Sequence, residues 1–337
     1  MMNSKDNVLE IKDLKVDAHT VMGTAELLNI KHLEIKTGEI FGIIGESGAG
    51  KSLLALTILG LLPKNVYVKN GQILYKGEDL LKKSQEELSQ RIRGKGITMI
   101  FQDPMASLNP VFTVYDQVSQ VISRHNPGLS KKQLYDRVIE MLELVKLSDP
   151  ENTMKKYPHE LSGGMRQRVL ISMALSAKAD LLISDEATRA LDVTIQAGIL
   201  KLLEELAEKL GLSTLFISSN MALASTVCQR LGILYAGEVL EIGRVEEIIR
   251  NPRHVYTRSF LSSLPTVEKK GKPLPIIKGI YPDPLNKAKG CIFADRCPDY
   301  SAECSQNKPT YHEVIPGHFL ACIKEEKHKP SSDNDMD

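Results

Sequence analysis

The chain has 337 residues, a formal net charge of +1 and 42% hydrophobic residues. These values are typical of a globular protein of about two domains, with no broad electrostatic field to attract nucleic acid or anionic lipid. The sequence contains no run of about 18 apolar residues, so it predicts no membrane span. The N-terminus, MMNSKDNVLEIKDLKV, lacks the apolar core of a secretory signal, so we expect a protein that stays in the cytoplasm.

The predicted elements alternate between strands and helices along the first 250 residues. Apolar periodicity predicts strands at 8–16, 28–36 and 40–44, then a helix from Ser52 to Leu62. Further elements are a strand and turn at 71–80, a strand at 97–101, mostly helix over 113–148, a helix at 163–177, a strand at 181–186, a helix at 194–210, a strand at 213–218, a helix at 220–229 and two strands flanking Gly237. This order predicts a largely parallel sheet covered by helices. Beyond about residue 250 prolines recur and periodicity fades, so we place a domain boundary there and expect residues 324–337 to be disordered.

A glycine-rich loop lies between the strand at 40–44 and the helix that follows. Its residues match the pattern G-x-x-x-x-G-K-[ST] and are Gly45, Glu46, Ser47, Gly48, Ala49, Gly50, Lys51 and Ser52. In this pattern the backbone N–H groups cradle phosphates, the lysine reaches the β and γ phosphates, and the serine ligates Mg²⁺. Because the strand, loop and helix occur in the order that this mechanism requires, the loop predicts nucleotide binding.

Two carboxylates, Asp185 and Glu186, end the apolar strand at 181–186. On its own, this pattern is equally typical of a strand that ends in solvent. Together with the phosphate loop, it predicts that Asp185 holds Mg²⁺ and that Glu186 polarises the attacking water.

A third motif, Leu161-Ser162-Gly163-Gly164-Met165, lies between these two sites. Taken alone, Ser162 would be interpreted as a helix N-cap. The order of phosphate loop, Gln102, LSGGM and acidic strand end resembles that of the ABC ATPases, whose signature is LSGGQ. The resemblance covers residues 8–250.

The resemblance implies an α/β, P-loop ABC-type nucleotide-binding domain over residues 1–250, with a mixed sheet core, an antiparallel β subdomain and a helical subdomain at about 103–160. It implies that Gln102 senses Mg²⁺ and the γ-phosphate, so that Mg²⁺ is held through Ser52, Gln102 and Asp185, and that Asp192 belongs to the D-loop. In this family two domains pair head to tail, so Ser162, Gly163, Gly164 and Met165 would bind the ATP held by the partner's phosphate loop.

The segment FQDPMASLNP at 101–110 and the sequence after residue 250 resemble the oligopeptide, dipeptide and nickel importer ATPases. This resemblance implies a small, irregular C-terminal extension over residues 251–323. Four cysteines cluster there, namely Cys291, Cys297, Cys304 and Cys322. Thiolates suit zinc or an iron–sulfur cluster, and their spacing does not match a zinc ribbon. The resemblance favours a [4Fe–4S] cluster; four reduced thiols or disulfides are the alternatives.

The sequence departs from the family pattern at two functional positions. Ser219 stands where the family usually has a switch histidine that contacts the γ-phosphate, and serine cannot carry positive charge. Ala18 stands where an aromatic residue usually stacks on adenine, unless a slip of one residue in the register places His19 there. Ala187 and Arg189 also replace the proline and a threonine of the family's DEPTTALD phrase.

These observations predict an ATP-hydrolysing subunit of an ABC importer of oligopeptides or dipeptides, peripheral on the cytoplasmic face of the cell membrane. The expected partners are a second ABC ATPase in a heterodimer, two transmembrane permease subunits and an extracytoplasmic substrate-binding protein, with no nucleic acid. We expect the site that contains Lys51 and Glu186 to turn over slowly because of Ser219. The alternatives are a nickel or metal-chelate importer ATPase, a largely non-hydrolytic regulatory subunit and, as the least favoured, a DNA-repair-type ATPase.

Overall fold

The computed structural model describes residues 7–189, 191–265, 269–271 and 273–326. The strands are β1 Asn7–Thr20, β2 Gly23–Lys36, β3 Ile40–Ile44, β4 Val66–Tyr75, β5 Glu78–Asp79, β6 Ile97–Ile100, β7 Leu181–Asp185, β8 Ser213–Ser218, β9 Arg230–Tyr235, β10 Glu238–Arg244, β11 His312–Ile315 and β12 His318–Leu320. The helices are α1 Lys51–Ile58, α2 Gln85–Glu87, α3 Pro104–Ser107, α4 Val114–His125, α5 Lys131–Leu144, α6 Pro150–Thr153, α7 Gly163–Leu175, α8 Val193–Leu210, α9 Met221–Val227, α10 Val245–Arg250, α11 Val255–Ser262, α12 Ala302–Gln306 and α13 Ile323–Glu326. Within these ranges, no helix is both long enough and apolar enough to cross a membrane.

The larger sheet has eight strands in the order β11-β12-β10-β9-β3-β8-β7-β6. Its centre is parallel, with β3 between β8 and β9, and with β7 and β6 beyond β8. Strands β10, β12 and β11 continue it in antiparallel pairs. Every residue of β3 and β7 is buried, because helices cover both faces of a parallel sheet. The predicted α/β class with a mixed sheet is confirmed.

The smaller sheet is antiparallel, in the order β2-β1-β4-β5. Strands β1 and β2 form one long hairpin whose pairing continues to Thr20 and Gly23. The strands predicted at 8–16 and 28–36 were therefore too short. Backbone hydrogen bonds hold the exposed end of the hairpin. Because these bonds do not require apolar side chains, the sequence shows no apolar alternation there.

The helices that follow β6 build a second layer with its own core. A capping box at Thr113 begins α4, and another at Ser130 begins α5. Their buried side chains pack with those of α7 in one apolar cluster that includes Val118, Val138 and Val169. Helix α1 ends at Ile58 rather than at the predicted Leu62, because Gly60 adopts the left-handed conformation, with φ of 62°.

The chain after residue 250 packs against the main sheet, and the domain boundary near residue 250 stays a prediction. Helices α10 and α11 are followed by irregular backbone, and β12 then pairs with β10 in the main sheet. The fully buried Glu241 carboxylate fixes this junction by accepting hydrogen bonds from the backbone N–H groups of Arg253 and His254, and its Oε1 lies 2.7 Å from His318 Nε2. Residues 323–326 form the short helix α13, where a disordered tail was expected from residue 324; residues 327–337 lie outside the described ranges.

Candidate nucleotide site

The phosphate loop connects the buried end of β3 to the start of α1. The Lys51 Nζ donates to the carbonyl oxygens of Gly45 at 2.9 Å and of Glu46 at 3.0 Å. Gly50 has φ of 103°, a conformation that other residues rarely adopt. At Gly45 a Cβ atom would lie 2.1 Å from the Leu234 carbonyl oxygen. The two glycines are therefore required by backbone geometry, and they let the loop curl tightly against β9.

Asp185 ends β7 directly beside this loop. Its carboxylate accepts a hydrogen bond from the Ser52 hydroxyl, and burial raises its pKa. The second carboxylate oxygen, Asp185 Oδ1, is buried without a hydrogen-bond partner among the described atoms. A buried carboxylate oxygen with a free lone pair, next to a hydroxyl, suits a hard divalent cation such as Mg²⁺. The residues present therefore fit the predicted metal.

Glu186 follows Asp185 and has a strained backbone, with φ of 44°. Three nitrogens surround its carboxylate: Lys51 Nζ at 3.6 Å, Gln102 Nε2 at 3.4 Å and Arg189 Nη1 at 2.7 Å. Burial lowers the pKa of Lys51, while the carboxylates of Glu186 and Asp185 act to raise it. Because its ammonium is buried among these carboxylates, Lys51 is held in place before any phosphate arrives.

A cavity of about 320 Å³ joins these elements. Its walls include Ser47, Lys51, Gln102, Glu186 and Arg189, with Leu27 of β2 at one side. Segments that are far apart in sequence thus meet at the carboxyl ends of the parallel strands, where ligands bind in open α/β sheets.

The LSGGM motif lies outside the phosphate-loop cavity. None of Ser162–Met165 lines this cavity. Ser162 is the N-cap of α7, where its hydroxyl accepts from the Met165 N–H at 3.3 Å. Asp192 is likewise the N-cap of α8. One chain therefore does not bring its own signature residues to its own phosphate loop.

Ser219 lies at the end of β8, beside Glu186. Both residues line a second cavity, of about 230 Å³, whose wall also includes Thr188, Arg189 and Gln196. A longer side chain at position 219 would have room to point toward the Glu186 carboxylate. Arg189 borders this cavity as well as the phosphate-loop cavity.

The two candidate positions for adenine stacking are both outside the phosphate-loop cavity. Ala18 is buried within β1. His19 is exposed and stacks on Tyr67, with ring centroids 4.6 Å apart. Leu27, which the sequence analysis did not consider, lines the cavity instead.

Two arginines contact the site in ways that the sequence did not predict. Arg189 was noticed as a departure from the family phrase, and its spacing of three residues from Glu186 could have indicated the contact. Arg296 contacts Glu46 of the phosphate loop from the C-terminal extension. No signal in a single sequence joins positions separated by 250 residues.

The four clustered thiols lie near one another in the extension. Cys291 is within electrostatic range of the other three, and its N–H donates to the Cys304 carbonyl at 2.7 Å. Burial raises the pKa of the Cys291 thiol to about 12. Within the described residues, no group of three or more His, Cys, Asp and Glu side chains is arranged to hold a metal ion. As placed here, the thiols do not form a metal site.

Comparison with known proteins agrees with this fold and site. Residues 28–189 match the family of ABC transporters, and residues 240–304 match the C-terminal region of oligopeptide/dipeptide transporters. A solved dimer of the ATP-binding cassette MJ0796 bound to ADP and Pi covers 70% of this chain and 98% of its own, with a TM-score of 0.62 and 26% identity. The fold and the site thus define an ABC-type ATPase.

Two curated relatives extend the similarity over most of the chain. The dipeptide transport ATP-binding protein DppD of Lactococcus lactis is 42% identical over 94% of this chain and 90% of its own length. The oligopeptide transport ATP-binding protein OppD of Escherichia coli is 38% identical over 95% of this chain and 94% of its own. The chain belongs to the oligopeptide/dipeptide family of ABC transporter ATP-binding subunits.

Proposed function

We propose that this chain binds and hydrolyses Mg·ATP to power the import of oligopeptides or dipeptides. The observation that carries the proposal is the meeting of Lys51, Ser52, Gln102 and Glu186 around one cavity, in a chain whose C-terminal region matches that of peptide transporters. The names of DppD and OppD support the same class of cargo.

Each residue of the site has a role that follows from its position. The N–H groups of residues 45–52 and the Lys51 ammonium bind the phosphates. Ser52, Asp185 and Gln102 would hold Mg²⁺, which supplies charge neutralisation for the transferred phosphoryl group. Glu186 orients the attacking water and accepts its proton.

We propose further that this chain's own phosphate-loop site is slow. Ser219 offers neither the reach nor the charge of an imidazole. Arg189 holds one oxygen of Glu186 in a charge-assisted hydrogen bond at 2.7 Å, which makes that oxygen less available to a water proton. Both features favour ATP binding over hydrolysis at this site.

The expected assembly has a second ATPase beside this chain, two transmembrane permease subunits and an extracytoplasmic binding protein. The chain would then be peripheral on the cytoplasmic face of the membrane. We expect residues near 102–118 to dock on the permeases, and Phe101, Val111 and Phe112 are large apolar side chains that remain exposed in or beside this segment. Closure of the two ATPases around ATP would couple binding to the permeases, because ATP binds their closed arrangement more tightly.

The decisive experiment compares two variants of the assembled complex. Ser162→Ala together with Gly163→Val changes this chain's signature half, and Lys51→Ala changes its phosphate-loop half. We expect the first to abolish most steady-state ATP turnover and the second to reduce it less. The opposite result would reverse the assignment of the slow site, and unchanged turnover in both would indicate a regulatory subunit without hydrolysis.

The [4Fe–4S] cluster at Cys291, Cys297, Cys304 and Cys322 stays a prediction from the family resemblance. Its test is iron and acid-labile sulfide analysis of protein purified without oxygen, with visible absorbance as a second readout. A content near four iron atoms per chain would support it. Zinc, or no metal at all, would contradict it.

A further inference from the structure

Arg296 connects the C-terminal extension to the phosphate loop. It is the last residue of the short helical turn Ala294–Arg296 and lies directly before Cys297. Its Nη1 is 3.3 Å from each carboxylate oxygen of Glu46, the second residue of the loop. The Arg296 side chain is 9% exposed and the Glu46 side chain 27% exposed, so this ion pair is partly shielded from solvent, unlike an ordinary surface pair.

Aromatic residues and a backbone carbonyl hold the guanidinium in one place. Its Cζ lies 5.7 Å from the ring centroids of both Tyr235 and Tyr281. Its Nη1 also donates to the Tyr235 hydroxyl at 3.2 Å, and its Nη2 donates to the Ile277 carbonyl at 3.3 Å. The arginine is thus fixed before it meets Glu46.

Glu46 is bound to the rest of the phosphate loop through its backbone. Its carbonyl accepts from Lys51 Nζ at 3.0 Å and from the Ala49 N–H at 3.1 Å. Displacing the Glu46 side chain would therefore disturb the residues that face the phosphates. Its carboxylate is also a negative charge within a loop that must receive a polyanion, and an opposite charge nearby offsets that repulsion.

We propose that Arg296 is a positioning residue for ATP: it neutralises Glu46 and braces the phosphate loop, so that the C-terminal extension sets nucleotide affinity. The proposal rests on the proposed function, since it assumes that residues 45–52 bind ATP. It assigns the extension a role in the nucleotide site, whatever the four thiols hold.

The test is equilibrium binding of a fluorescent, non-hydrolysable ATP analogue with Mg²⁺ to the purified full-length chain. Losing a partly shielded charge-assisted hydrogen bond should weaken binding by roughly tenfold in Arg296→Gln. Arg296→Lys should recover part of the affinity, because it keeps the charge but loses the planar fork. Arg258→Gln is the matched control: it breaks another arginine–carboxylate pair of the same region, with Asp299 at 3.2 Å, that does not touch the loop.

The double variant Arg296→Gln with Glu46→Gln, compared with each single variant, tests whether Arg296 acts by neutralising Glu46. Removing both charges should return affinity to within about threefold of wild type, a coupling that only a direct interaction produces. In the assembled complex, with the partner ATPase inactivated in its own phosphate loop, Arg296→Gln should raise the KM for ATP much more than it lowers kcat. Thermal unfolding of each variant establishes that the chain is folded.

The proposal is overturned if Arg296→Gln binds the analogue as tightly as wild type, or if the double variant is as weak as Arg296→Gln alone. If Arg296→Gln does not fold, the affinities of Arg296→Lys and of the double variant for the analogue decide the proposal instead. A wild-type chain that binds no analogue would instead overturn the proposed function itself. The two failures are therefore distinguishable.

Discussion

Replacing Ser219 by histidine should accelerate hydrolysis at this chain's own phosphate loop. Ser219 and Glu186 both line a cavity of about 230 Å³, which leaves room for an imidazole near the Glu186 carboxylate. A donor to the transition state is typically worth about 10²–10³ in rate, or roughly 3–4 kcal/mol. We expect Ser219→His to recover about 10² of that, because Arg189 still holds Glu186.

Arg189→Thr should add a smaller gain. The Arg189 side chain is 56% exposed, and exposed ion pairs contribute about 0.2–1 kcal/mol. Releasing Glu186 should therefore raise the rate by roughly two- to fivefold. The gain should be largest together with Ser219→His, since a freed base is most useful when the γ-phosphate is also contacted.

The assay is single-turnover phosphate release from the assembled complex, with the partner ATPase inactivated in its own phosphate loop. Only the site that contains Lys51 then contributes to the measured phosphate release. Ser219→Leu is the control, because leucine fills the same cavity without a donor and should bring no acceleration. Full occupancy by ATP, combined with a rate that changes less than about threefold in Ser219→His with Arg189→Thr, would refute the reasoning.

Other predictions concern stability and thiol reactivity. Asp185→Asn should stabilise the nucleotide-free chain by about 1 kcal/mol at neutral pH while abolishing Mg²⁺-dependent ATP binding. Burial raises the native pKa of Asp185 above 3.8, so the wild-type chain loses stability when this carboxyl ionises in the folded state. In chemical unfolding, the gain in stability of the variant should therefore be absent below pH 3.8 and complete above the native pKa. Burial lowers the pKa of His254 from 6.5 to about 4, so the unfolded state gains a proton first as the pH falls, and the unfolding free energy should drop by about 2 kcal/mol from pH 7 to pH 5. His254→Asn keeps a cap acceptor and should lose most of that pH dependence; an unchanged slope would contradict this. In the reduced, metal-free chain, Cys291 should alkylate roughly tenfold more slowly than the less buried Cys297 at pH 8, and equal rates by mass spectrometry would refute it.

The sequence predicted those parts of the site whose signals are local. The strand before Gly45 and the strand ending at Asp185 are short buried runs next to residues with a defined chemistry. Because both strands are parallel members of one sheet, their carboxyl ends had to meet at the same edge. The contact of Lys51 with Glu186 follows from that topology.

The parts that could not be predicted depend on packing between distant segments. The ion pair of Arg296 with Glu46 requires knowing that the extension folds back across Tyr235. The pairing of β12 with β10 was hidden because β12 is three residues long, which is too short for any periodicity. Arg189 shows an intermediate case, since its position was visible but its partner was not.

The two halves that this chain offers to ATP differ in their residues, and this difference bears on its pairing. The phosphate-loop half carries Ser219 and the Arg189 contact with Glu186, whereas the signature half has Ser162 as the N-cap of α7, at the positive end of the helix dipole. If the chain paired with a second copy of itself, both sites would contain Ser219, and both would be slow. Pairing with a different ATPase that carries a histidine would combine its phosphate loop with this chain's signature and restore one fast site. Under the proposed function, the isolated chain should therefore hydrolyse ATP slowly even at concentrations where it dimerises, and addition of a histidine-bearing partner ATPase should raise the rate.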